Sequence, residues 1–509
     1  MHKIVHVIIL FCGLSHGLFF YNKLAFAAFD TISREATFVT ISSSAAFVGK
    51  EYDFIMAKDT TKDMTAGSPM KLILGFTVPL LFGALFQQFY SVADTIIVGR
   101  LLGVNALAGV GATGSINFMI MGFCMGVCSG FAIPVAHKFG AKDYSGMRQV
   151  VANSVWLSLF FSIVMTTVVA YLCRNILTWM KTPEDIFDYS YSYILIIFLG
   201  IPATYLYNIL SGIIRSMGDS KTPVFFLTLS SLLNIGLDLL FIVAFRMGVS
   251  GAAAATVISQ LISGLLCLFY IIKKFEILHI SREEWKMNPG YMRLLCGMGL
   301  PMGLQYSITA IGSVILQTSV NTLGAVAVAS VTAASKVNMF FACPFESMGT
   351  TMATYGGQNV GAKKLDRLGQ GLKSCALLGA GYAVLAFVVM YLFGDNLASL
   401  FVDSGEREIL ENAKLFLTIN SAAYVALAMV NIFRLMIQGM GFSTFAILAG
   451  VFEMAARSLV GLVLVPRVGF IGVCFSNPLA WISATLFLIP AYRHVRRKLD
   501  RMMNNREKG

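Results

Sequence analysis

From about residue 70 onward the chain alternates long apolar runs with short polar interruptions, and most runs reach the roughly 20 residues that a helix needs to cross a bilayer. Cut at Gly, Pro and charged residues, the pattern predicts twelve spanning helices, over 72–98, 104–134, 147–172, 188–214, 223–245, 249–272, 292–320, 325–355, 370–393, 408–438, 443–465 and 470–492. Several are longer than the hydrocarbon layer is thick, which predicts tilt or kinks, with Pro79, Pro134, Pro202, Pro301, Pro344 and Pro478 as kink sites. The first run carries a single carboxylate, Asp94, within "FQQFYSVADTIIVGRLLG". A charge at membrane depth is expensive to keep, so such an acid reads as functional.

Composition agrees with the pattern: 57% of the 509 residues are hydrophobic and 13% charged, and the mean hydropathy is +0.75. The fold class expected is an all-α integral membrane protein. The net charge of +12 would suggest nucleic acid in a soluble chain; here the basic residues sit in short loops, so no nucleic-acid partner is expected and membrane lipid is. With the first helix starting inside, the inner segments hold Lys138, Lys142 and Arg148, then Lys273, Lys274, Arg282, Lys286 and Arg293, then Lys363, Lys364 and Arg367, and a basic tail from Arg493. The outer segments hold fewer, among them Arg100, Arg174 and Arg246. The asymmetry predicts a multi-pass protein of the cytoplasmic membrane with both termini cytoplasmic. The nine cysteines are scattered without metal spacing and read as small core residues.

Residues 1–55 do not fit the pattern. They read as a leader that is spurious or disordered, with Met56 as the natural start; residues 56–70 form a polar cytoplasmic tail. The expected organisation is then a six-helix lobe over 71–275, a cytoplasmic linker over 276–291, a second six-helix lobe over 292–492 and a basic cytoplasmic tail over 493–509.

The two lobes repeat. "FGAKDYSGMRQ" (Phe139–Gln149) recurs as "VGAKKLDRLGQ" (Val360–Gln370), and Gly103 with Gly324, Asn117 with Asn338, Gly140 with Gly361 and Gly248 with Gly469 all differ by 221. "RSMGDSKTP" aligns with "QGMGFSTFA" at an offset of 223. Six helices per unit start both units on one side, so the halves are related by a pseudo-two-fold axis along the membrane normal with a cavity between them, an arrangement suited to alternating access.

The "VADTIIVG" of the first helix, the "GAK" loop, "RSMGDSKTP", and "NIGLD" followed by "GVSGAAAATVIS" resemble the MATE (multidrug and toxic compound extrusion) transporters over residues 70 to about 490. The resemblance implies a twelve-helix antiporter that exports small organic compounds, often cationic, in exchange for H⁺ or Na⁺, with no cofactor beyond the coupling ion. It carries the ion site, including any Na⁺ ligands, to Asp94, Asn234, Asp238 and Thr256. The residues themselves support that grouping. Asn234 and Asp238 share a helix face, and helix rise from the flanking outer residues places Asp94, Asp238 and Thr256 at one depth, roughly 9–12 Å below the outer surface. Two carboxylates close together at low dielectric disfavour double ionisation, and Asn and Thr add oxygen ligands.

The second half lacks these groups. Asp94 aligns with Ile315, Asn234 with Arg457, Asp238 with Gly461 and Thr256 with Asn477, so ion coupling is expected of the first half alone. Glu453 and Arg457, four apart, read as an internal ion pair with a substrate role for Glu453 as the alternative; Glu346 is a further intramembrane acid, with Arg434 as its candidate partner. An ATP-driven pump is disfavoured because "GGQNVGAKK" lacks the Gly-Lys-Ser/Thr ending of a phosphate loop. An enzyme is disfavoured because all six histidines fall in the leader, loops or tail. The rival reading is a lipid-linked sugar flippase of related helix plan, and a channel is weaker still. A monomer is expected.

Overall fold

The computed structural model describes residues 62–402 and 406–507; the leader and the Met56 start lie outside them. The apolar runs form helices throughout, because a backbone in lipid must satisfy its own hydrogen bonds. Ten stretches are long and apolar enough to cross a membrane, and two bent helix pairs complete a set of twelve. We number the spans 1 (Pro69–Leu102), 2 (Gly114–Gly140, after the short helix Val104–Ala112), 3 (Tyr144–Trp179), 4 (Glu184–Leu199 with Ile201–Ser216), 5 (Lys221–Ala244), 6 (Val249–Lys274), 7 (Pro289–Asn321), 8 (Ala325–Gly361), 9 (Leu365–Ala398), 10 (Arg407–Ala422 with Tyr424–Gly439), 11 (Thr444–Val468) and 12 (Phe470–Asn504). Two separate hydrophobic cores form, one built mainly from spans 1 to 6 and the other from spans 8 to 12 with part of span 1.

The repeat is visible in the backbone. Gly103 and Gly324 share φ near 90° (88° and 93°), Gly248 and Gly469 share φ 61° and 64°, and Lys142 and Lys363 share φ 56° and 58°. Span 5 ends in a π-helical turn, Leu240–Ala244, and span 11 carries the matching one, Val460–Leu464, just before its last turn. The large bends differ from the proline expectation. Span 4 bends by 45° at Gly200, beside Pro202, but its counterpart span 10 bends by 50° at Ala423 with no proline at all. There the Asn420 amide donates to the Cys474 carbonyl in the neighbouring span, an anchor from outside the helix. Pro79, Pro134, Pro301 and Pro344 lie inside helices that run on without a break, and Pro478 sits in the first turn of a helix, where its missing N–H costs nothing.

The lobes meet along spans 2 and 7 and along spans 1, 2 and 8. Their closest approaches are near the loops that carry Lys138, Arg148 and Lys363. Gly140 lies against the Gln358 carbonyl and Gly361 against the His137 carbonyl, so a Cβ at either glycine would collide with backbone. The two contacts are one contact repeated by the pseudo-two-fold axis, and side chains repeat it too: His137 bonds the Gly439 carbonyl at 2.7 Å, while Gln358 donates to the Ser216 carbonyl at 2.8 Å. Residues 62–67 lie across this seam as a strap. Met64 N–H donates to Gln358, Arg367 and Lys364 donate to the Met64, Thr65 and Gly67 carbonyls, and Gly218 of the other lobe packs directly on the Lys62 backbone. The described part of the expected cytoplasmic tail, from residue 62, is therefore held between both lobes, with Met64 buried.

The linker is also anchored. Glu284 binds Arg148 at 2.8 Å and accepts from Ser145 and the Ser281 N–H, and this arginine holds its carboxyl well below the usual range, at about 2.

Candidate functional site

Span 5 places Asn234 and Asp238 one turn apart on a buried face, 1% and 0% exposed. Asp94 on span 1 reaches that face, close enough for its carboxyl and that of Asp238 to feel one another. Thr256 of span 6 closes the side: its hydroxyl donates to the Ala252 carbonyl and accepts from Asn234 Nδ2 at 3.4 Å. Those two bonds turn the Asn234 carbonyl oxygen away from Thr256, so Thr256 orients the amide. The four residues expected from sequence are thus brought into one cluster.

What the cluster lacks is a set of donors. Asp94 Oδ1, both Asp238 oxygens and Asn234 Oδ1 are buried without a hydrogen-bond donor among the described residues. Buried acceptors without donors are costly and rare. Oxygen-only acceptors of this kind fit a proton shared between carboxyls or a hard cation such as Na⁺. Two further residues were missed by the sequence reading. Tyr90, one turn before Asp94, and the buried Tyr193 of span 4 stand close enough to feel the charges of both aspartates. Tyr90 could have been found by its i, i+4 spacing; nothing in the sequence links Tyr193 to span 1.

In the other lobe one carboxylate, Glu453, is shared by two arginines. Arg434 donates to Glu453 at 2.9 Å, and Arg457 faces the second Glu453 oxygen at 3.6 Å; Glu453 and Arg457 are buried and Arg434 is half-buried. The expectation that Arg434 partners Glu346 does not hold, because Glu453 captures it, and the Glu453–Arg457 pair is the longer of the two contacts. Arg457 Nε reaches Asn477 Oδ1 at 3.4 Å, and Asn477 donates to Asn420. Glu346 stands apart from this triad: it is exposed, on span 8, within electrostatic range of Arg434 and Tyr306.

The family model MatE matches residues 79–240 and again 301–464, once in each lobe. The chain belongs to the MATE family of multidrug efflux transporters. Among its relatives, "Probable multidrug resistance protein YpnP" of Bacillus subtilis (strain 168) is 30% identical over 342 residues, 67% of this chain and 76% of that protein. The "FAD transporter" of Shewanella oneidensis is 22% identical over 367 residues, 71% of this chain and 80% of its own. A solved structure described as the outward-facing conformation of a multidrug resistance MATE family transporter superposes with a TM-score of 0.81 at 23% identity, covering 87% of this chain and 99% of that one. MATE membership sets the twelve-span fold, accounts for the internal repeat, and makes the protein a multi-span transporter of the cell membrane.

Proposed function

We propose that this MATE protein is a secondary antiporter, exporting organic compounds of cationic or amphipathic character across the cytoplasmic membrane in exchange for H⁺ or Na⁺. The carrying observation is the cluster of buried, donor-less oxygens on Asp94, Asp238 and Asn234. In this reading a proton or Na⁺ supplies the positive charge that the cluster needs, and Asp94 and Asp238 hold it between them. Thr256 keeps the Asn234 carbonyl turned toward the site. With the ion bound the aspartate pair carries one negative charge instead of two; without it their mutual repulsion favours a different packing of spans 1 and 5, and this difference biases the two lobes between their access states.

The seam at the basic loops supports an arrangement closed on the cytoplasmic side. The flippase reading is not favoured, since the arginines of spans 10 and 11 are engaged by Glu453. The test is dye efflux by the full chain in proteoliposomes under imposed pH or Na⁺ gradients. Transport driven by either gradient and abolished in Asp94→Asn supports the proposal; gradient-independent transport, or full uphill transport by Asp94→Asn, overturns it.

A further inference from the structure

Through the repeat, Arg457 of the second lobe stands where the first has Asn234, and Asn477 where the first has Thr256. In the first lobe this place is surrounded by oxygens without donors; in the second it holds a donor group short of acceptors. Arg457 is 7% exposed. Among the described residues its guanidinium makes one hydrogen bond, from Nε to the Asn477 oxygen at 3.4 Å. Nη1 is sealed in without a hydrogen-bond acceptor, and Glu453 Oε2 faces it at 3.6 Å, an ion pair too long to be a hydrogen bond. Nη2 makes no hydrogen bond among the described residues either and is not sealed, which leaves it the open donor of the group.

Charge is short as well as hydrogen bonds. Glu453 brings one negative charge and the two arginines bring two positive ones, so the triad keeps a surplus positive charge. Arg434 takes the larger share of the carboxylate, donating to it at 2.9 Å and to Asn431 at 3.3 Å. Glu346 does not make up the difference at Arg457. It is exposed on span 8 and acts on Arg434, whereas the charged groups that act on Arg457 are Glu453, which attracts, and Arg434, which repels. Asn477 offers only its oxygen, because its nitrogen is spent on Asn420 Oδ1 at 3.0 Å. A buried cation with donors unused is strongly destabilising unless a counter-charge reaches it.

We propose that the interior of the second lobe binds a small inorganic anion, chloride or an ion of its size and charge, at Arg457. The anion accepts from the open Nη2 and cancels the surplus charge of the triad, a charge-assisted contact that water cannot replace in kind. The seclusion of the guanidinium selects for size, so sulfate and organic carboxylates are expected to be excluded. The site stands apart from the antiporter reading: it uses no residue of the Asp94 cluster and fills without a gradient.

The experiment uses the purified full chain in detergent, with sodium gluconate replaced stepwise by sodium chloride at constant ionic strength. Radioactive chloride binding and the unfolding temperature are measured together. The wild-type chain is expected to bind a single chloride saturably and to unfold at a higher temperature as the site fills. Arg457→Gln leaves Glu453 to Arg434 alone, so chloride affinity should fall by about tenfold or more and the unfolding temperature should no longer depend on chloride. Arg457→Lys keeps the charge and should retain weaker binding. In crystals of the wild-type chain grown with bromide, the anomalous signal should place the ion within hydrogen-bond reach of Arg457. No saturable chloride binding by the wild-type chain, the result expected if water fills the site, overturns the proposal. So does wild-type affinity in Arg457→Gln, or a bromide found only elsewhere. The wild-type binding and the bromide position need no variant, so they decide the matter even if Arg457→Gln does not fold.

Discussion

The polar interiors of the two lobes occupy the same places on the same backbone and have opposite character. Asn234 donates to Thr256 at 3.4 Å in the first lobe; their counterparts Arg457 and Asn477 make the equivalent bond at 3.4 Å in the second. Around that shared bond the first lobe places two aspartates and leaves acceptors without donors. The second has Ile315 and Gly461 at the aspartate positions, and Glu453 where the first has Ser230, so its two arginines share one carboxylate and Arg457 Nη1 is left a donor without a hydrogen-bond acceptor. The seam at the basic loops, by contrast, stays symmetric, with Gly140 and Gly361 in identical contacts. Duplicated folds can keep the groups that close two lobes on each other while letting polar sites inside each lobe diverge. A group that both lobes must present to each other is constrained twice; one enclosed in a single lobe is constrained once.

This contrast can be broken most sharply at the aspartates. Asp94→Asn keeps volume and removes the titrating, cation-binding oxygen, so uphill efflux in proteoliposomes should fall to the level of empty vesicles while membrane content stays normal. Next in size is the symmetric seam. Gly140→Val and Gly361→Val should each prevent the lobes from closing, and to a similar degree; the check is labelling of a cysteine placed at the seam, which should rise in both variants. Unequal effects would mean that the pseudo-two-fold contact is not energetically symmetric.

Glu453→Gln attacks the carboxylate that the two arginines of the second lobe share. It strands Arg434 and Arg457, and breaking a buried pair costs about 3–5 kcal/mol, so a lowered unfolding temperature and reduced yield are expected. A stable variant with selective loss of cationic substrates would instead make Glu453 a ligand. A smaller effect is expected from Thr256→Val, which frees the Asn234 amide: half-saturation by the coupling ion should rise by about tenfold with the maximal rate retained. The smallest concerns the linker. Because Arg148 depresses the Glu284 carboxyl from 4.5 to about 2, the stabilisation is present above the ordinary glutamate range and is lost only as pH falls toward 2. Arg148→Ala should therefore increase proteolysis of the linker slightly and leave the pH profile of transport between 5 and 8 unchanged.

Twelve spans, the 221-residue repeat and the face shared by Asn234 and Asp238 were legible in the chain because hydropathy and the helical period are properties of neighbouring residues. Asp94 stood out for the same reason, as a carboxylate in an apolar run, and the loss of both aspartates at the matching positions of the second half followed from the repeat by alignment alone. Tertiary structure decided the rest: that Tyr193 joins the aspartates from span 4, that Arg434 rather than Arg457 is the nearer partner of Glu453, that span 10 bends at Ala423 without a proline, and that residues 62–67 strap the two lobes. Each of these depends on which helices touch and at what rotation. That is set by packing between segments up to about 300 residues apart in the chain, as with Arg367 and Gly67, and no local pattern records it.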